Sequence, residues 1–99
     1  MPLFVLTCID KPNSLDLRMA TREAHFAYAR GLPAGVIRLG GPFLDEKGDM
    51  AGSLIIIEVA DLAAARAFNQ ADPYQQAGLF ESVDIRPWKA TFGAVEAFG

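Results

Sequence analysis

A single histidine, His25, stands in the chain of 99 residues. Imidazole titrates near neutral pH, which suits general acid or base work. The alternative is a half-exposed helix histidine without a role. Asp72 directly precedes Pro73. Proline restricts the residue before it, so this loop can aim a carboxylate in one direction. A carboxylate beside His25 would orient the ring and stabilise imidazolium. Asp72 serves equally well as an Asx turn or as the cap of a helical turn beginning near Tyr74. Arg18, Arg22 and His25 fall at i, i+4 and i+7, on one flank of a helix. Two guanidinium groups there suit bidentate binding of an anionic ligand, or else surface pairing with Asp16 or Glu23.

Other residues are weaker candidates. Gly40-Gly41-Pro42 lets a ligand approach the backbone, or simply bends a strand end. It lacks the spacing of a dinucleotide fingerprint. Ser53 follows Gly52 in an apolar run without a nucleophile elbow, so its hydroxyl reads as a ligand contact and not as a nucleophile. Cys8 sits in an apolar strand and reads as a small buried hydrophobe. One histidine and one cysteine without paired spacing predict no metal site, and no motif calls for a cofactor.

These residues need elements to bring them together. Pro2–Ile9 predicts a first strand, closed by the turn Asp10-Lys11-Pro12-Asn13. Ser14 is the expected N-cap of a helix over 15–30, which stops at Gly31. A stripe of Leu17, Ala20, Ala24, Ala27 and Tyr28 is expected to face a sheet, with His25 at its border. Residues 35–39 and 51–59 predict two strands of a hairpin, with Gly40-Gly41-Pro42 just after the first and a polar turn at 45–49. Asp61 caps a second helix over 62–70, which Pro73 breaks. A helical turn to Gly78 and a last strand over 82–90 follow, with Pro87 placing that strand at an edge. Phe92, Val95 and Phe98 form an apolar tail. The order β-α-β-β-α-β interlocks two βαβ-like units in one antiparallel sheet with both helices on one face.

The length sets one domain, 1–99. A hydrophobic share of 52% is high for so small a chain and points to a subunit interface across the open sheet face. The net charge of −3 and the lack of a basic stripe argue against nucleic acid. One cysteine fits a reducing, cytoplasmic setting. The start Met1-Pro2-Leu3-Phe4 predicts no leader, and the apolar runs fall short of a membrane span.

Several segments taken together resemble the YciI family, also called YCII-related proteins. The stretch from Leu15 to His25 resembles that family's R-x-x-x-R-x-x-H helix. Gly41-Pro42, Gly52-Ser53 with the strand ending at Glu58, Ala71-Asp72-Pro73-Tyr74 continuing to Ala77-Gly78-Leu79, and Arg86-Pro87-Trp88 follow in the family's order. The likeness spans about residues 3–92. It implies a ferredoxin-like fold assembled as a dimeric α+β barrel. It also implies a site built from His25 and Asp72, with Gly41, Pro42 and Ser53 nearby. One branch of the family acts as a dehydrochlorinase in chloroaromatic breakdown, and similar folds host muconolactone isomerases. The expectation is therefore a cofactor-free lyase or isomerase moving a proton on a small cyclic or aromatic substrate. Arg18 or Arg22 would attract its negative charge, and Ser53 with the Gly40-Gly41 backbone would bind a carbonyl or oxyanion. The rival is a dimeric small-molecule-binding module without catalysis.

Overall fold

Residues 1–98 are described by a computed structural model. Strand β1, Leu3–Asp10, alternates Phe4, Leu6 and Cys8 on one face with Val5, Thr7 and Ile9 on the other. It lies centrally in a four-stranded sheet ordered β2-β3-β1-β4, flanked by β3 (Met50–Glu58) and β4 (Phe80–Trp88), with β2 (Ile37–Leu44) outside β3. Every pairing is antiparallel. Helix α1 (Leu15–Gly31), α2 (Leu62–Ala71) and the short α3 (Pro73–Gln76) cover one face. Phe4, Leu6, Cys8, Ile55 and Ile57 from the sheet meet Ala65, Phe68, Tyr74 and Leu79 from the helical side, forming the core. This is the expected ferredoxin-like α+β arrangement.

The local signals differ in how they act. Asp61 caps α2 as its position predicts, accepting from the Ala64 backbone N–H at 2.8 Å. Ser14 occupies the cap position of α1, but its hydroxyl turns back to the Pro12 carbonyl. Strand β2 runs on through Gly40-Gly41-Pro42, which therefore lies within a strand and not after it. Pro42 faces Ser53 across the ladder, and the missing N–H is tolerated because β2 is an edge strand. Pro87 likewise lies on the edge strand β4.

Helix α1 departs most from expectation. Leu17 is 38% exposed, and Ala20, Ala24 and Ala27 face outward. Tyr28 faces inward as expected, but Arg18, Thr21 and His25 accompany it in place of Leu17 and the alanines, roughly one residue step around the axis. Three alanines bring little area to bury. The inward residues bring polar partners that fix the rotation, including a hydrogen bond from the Tyr28 hydroxyl to the Phe68 carbonyl.

The β1–β3 ladder is close enough at one point to demand glycine. A Cβ on Gly52 would collide with the carbonyl oxygen of Cys8. Gly52→Ala is expected to destabilise the domain by at least ~1–3 kcal/mol, the usual cost of overpacking, and to displace Ser53. A chemical denaturation midpoint equal to that of the wild type would contradict this contact.

Candidate functional site

The inward face of α1 sets two polar residues seven positions apart, about two turns or 10 Å of helix. The Tyr74 ring from α3 fills the interval. The imidazole of His25 stacks on it, with centroids 4.2 Å apart and planes 18° apart. The guanidinium of Arg18 lies 4.5 Å from the same centroid.

Asp72 does both things its sequence position allows. Its Oδ1 accepts the Tyr74 backbone N–H at 2.9 Å, capping α3, and the same oxygen meets His25 Nδ1 at 2.9 Å. The residue is 1% exposed. An ionised carboxylate only accepts, so Nδ1 is the donor of this contact, and in the neutral form of the ring the lone pair falls on Nε2. Among the described residues Nε2 has no hydrogen-bond partner, and it is not sealed from solvent. This is the arrangement a general base requires, with the orienting carboxylate on the far side of the ring.

Arg18 is 2% exposed and not on the surface flank expected of it. Its Nε and one terminal nitrogen grip both Asp10 oxygens, at 2.7 and 2.9 Å, and that terminal nitrogen also donates to Ser53 Oγ at 2.9 Å. Burial pulls its pKa down, but the Asp10 hydrogen bond and charge more than offset this, leaving it above the ordinary arginine value. Arg22 is exposed and stacks 4.8 Å over Phe26, and none of the ion pairs among the described residues involves it.

These groups surround a cavity of about 200 Å³ between α1 and the β2–β3 hairpin. Arg22, His25, Ser53, Gly40, Gly41 and Pro42 line it together with Arg18 and Tyr74. Phe26, Ile37, Met50 and Ile55 make the remaining wall apolar. Every site candidate except Asp72 therefore touches this space, and Asp72 acts on it through His25. The sequence reading did not single out Tyr74, Asp10, Phe26 or Met50. The available signal was the Asp72-Pro73-Tyr74 run, which puts an aromatic ring two residues after a fixed carboxylate.

Two neighbouring groups are held neutral. Burial raises the Tyr74 phenol above its usual pKa, with Arg18 and Arg22 opposing the shift only in part. Burial, reinforced by the Asp72 charge, pushes the Cys8 thiol up to about 12. At pH 8 the thiol is therefore protonated and inert. Iodoacetamide should leave native Cys8 unmodified over hours and label it completely in denaturant. Fast labelling of the native protein would contradict its burial. Among the described residues, no group of three or more His, Cys, Asp or Glu is placed to hold a metal ion, and no helix is long and apolar enough to cross a membrane.

Comparison with known proteins bears on the family and the fold. The chain is 37% identical over 97 residues to Protein YciI of Escherichia coli O6:H1, covering 91% of this chain and 99% of that one. A 5-chloro-2-hydroxyhydroquinone dehydrochlorinase from Burkholderia phenoliruptrix, solved with 2,5-dihydroxybenzoquinone, superposes with a TM-score of 0.82 at 35% identity, covering 90% of this chain and 95% of that one. An antibiotic biosynthesis monooxygenase shares the fold alone, with a TM-score of 0.57 at 16% identity over 92% of this chain and 99% of that one. The model of the YCII-related domain matches residues 2–89, and the chain belongs to that family.

Proposed function

We propose that the protein is a lyase or isomerase that moves a proton on a small, planar, oxygenated ring, with His25 as the acid or base and Asp72 as its orienting partner. The observation that carries this reading is the pairing of Nδ1 with a buried carboxylate in a histidine that lines a largely apolar cavity of about 200 Å³. Nε2 takes a proton from the substrate, and Asp72 stabilises the imidazolium that forms. The released electron pair expels chloride in a dehydrochlorination, or receives the proton at another carbon in an isomerisation. Arg22, exposed at the cavity wall without an ion-pair partner, draws in an anionic ring. Arg18 is committed to Asp10 and Ser53, so attraction of the substrate falls to Arg22 alone. The reading calls for no cofactor.

A chlorinated hydroxyhydroquinone is the first substrate to offer, because the dehydrochlorinase relative carries that substrate in its name. Chloride release and ring-proton exchange in D2O should be followed together, the second detecting isomerase chemistry on related rings and unsaturated lactones. Either signal above the buffer rate supports the proposal. Binding of 2,5-dihydroxybenzoquinone with neither signal across the panel would instead support a ligand-binding module.

The open sheet face supports a second copy of the chain as partner. Val5, Thr7, Leu54 and Ile56 lie there around a hollow of about 290 Å³, and Leu39 on the same face is 57% exposed. Burying this apolar surface favours association. Sedimentation at micromolar concentration should give about twice the 10.7 kDa chain mass. A monomer at those concentrations would rule the dimer out. The location consistent with one buried, reduced thiol is the cytoplasm.

A further inference from the structure

The apolar tail divides. Phe92 stands in solvent, whereas Val95 and Phe98 dock at one end of the open sheet face. The tail leaves the edge strand β4 after Trp88, turns at Gly93 (φ 81°), forms a short 3-10 turn over Val95–Phe98 and returns at the opposite edge strand, β2. There the Arg38 guanidinium latches it, donating to Glu58 Oε2 at 2.7 Å and to the Ala97 carbonyl. The Phe98 ring sits 5.6 Å from that of Trp88, nearly perpendicular to it at 87°. Leu3 shares a sheet face with Val5 and Thr7 yet is only 8% exposed, with Val95 and Phe98 across from it. The tail does not seal down on the sheet. Between it and Leu3, Pro87 and Trp88 lies a hollow of about 430 Å³. This is about twice the cavity beside His25, and the two share no lining residue. The family match ends at residue 89, so the tail wall of the hollow lies outside the matched residues.

We propose that this hollow binds the anion of a medium-chain carboxylic acid, with the acyl chain between Leu3, Val95, Trp88 and Phe98 and the carboxylate at the Lys89 ammonium. The volume falls within the range of small-molecule sites, about 300–1,000 Å³. Among the described residues that line it, Lys89 carries the one charged side chain. The nearby carboxylate of Glu58 is already paired with Arg38. Charge therefore favours an anion at one end, and the remaining walls favour apolar contact. The shape favours a flexible chain. Two rings set at right angles leave no parallel slot in which a third ring could stack, whereas an acyl chain follows both surfaces. Trp88 is still 40% exposed, so apolar area remains for a ligand to cover. This site is separate from the proton-transfer site and does not depend on it.

Trp88 is the only tryptophan of the chain, so its fluorescence reports the hollow directly. Wild type, Lys89→Glu and Phe98→Ala are titrated with octanoate, decanoate and the neutral decanol. An acyl chain that covers Trp88 should shift its emission to the blue and saturate. The two further methylenes of decanoate should tighten binding about tenfold over octanoate. Lys89→Glu replaces attraction with repulsion at the rim. It should weaken decanoate by about tenfold and leave decanol unchanged, a selectivity that loss of structure would not produce. Phe98→Ala removes an apolar wall and should weaken both ligands by about tenfold. The fold should remain, because Phe98 lies outside the core cluster. Unchanged wild-type emission at millimolar decanoate would overturn the inference. So would a Lys89→Glu protein that keeps decanoate or loses decanol equally, or wild-type affinity in Phe98→Ala. A blue shift that grows with protein concentration alone, and that decanoate does not extend, would assign the hollow to a second copy of the chain and overturn it as well.

Discussion

Replacing His25 with alanine is expected to lower turnover by two to four orders of magnitude, about the contribution of a positioned general acid or base. The fold should remain, because His25 is only partly buried and the core of Phe4, Leu6, Ile55, Ile57 and Phe68 does not include it. Asp72→Asn is the informative companion. Asparagine still offers an oxygen to the Tyr74 N–H and to Nδ1, but it brings no charge to stabilise imidazolium, so a loss of about tenfold is expected. The check is kcat for both variants alongside their thermal unfolding. Nitrogen-15 shifts of the single imidazole would report the tautomer directly, with the proton on Nδ1 in the free protein. Full activity in His25→Ala would remove the proposed role.

The second large effect concerns stability. Asp10→Ala strips the counterion from a guanidinium that is 2% exposed. Leaving one member of a buried pair uncompensated costs about 3–5 kcal/mol. A whole domain is stable by only about 5–15 kcal/mol. For a chain of this size each kcal/mol moves the melting temperature by roughly 4–8 °C, so a fall well beyond 10 °C is expected. Removing both charges in Asp10→Leu with Arg18→Met should be the milder change, because no orphaned charge remains. Denaturant unfolding of the three variants measures this ordering. An Asp10→Ala protein within ~1 kcal/mol of the wild type would show that water reaches the guanidinium.

The order of elements was legible because each boundary carries its own chemistry. Asp61 caps α2, Pro73 ends it, and apolar runs mark β1 and β3. The rotation of α1 was not legible. Hydrophobic periodicity favours Leu17 and the alanines as the buried face, whereas the fold buries Arg18 and turns His25 inward. Their partners, Asp10 and Asp72, lie 8 and 47 residues away along the chain. No local pattern announces that a charge will be met by another, and only the assembled sheet supplies the pairing. The same holds for Tyr74, whose ring stacks on two residues of another helix. The His25–Asp72 pairing itself was anticipated through the resemblance of the segments that carry the two residues.

The cavity draws its walls from α1, from both strands of the β2–β3 hairpin and from α3, segments that meet only in the folded chain. An unfolded chain has no such space to offer, so any occupant binds the native state alone. Folding thereby becomes an assay for ligands. A compound present at a hundred times its dissociation constant adds about 2.7 kcal/mol to the native state. In a domain this small that is a rise of roughly 10–20 °C in melting temperature. Heating the protein beside a library of oxygenated rings would let an unknown substrate identify itself before any reaction is assayed.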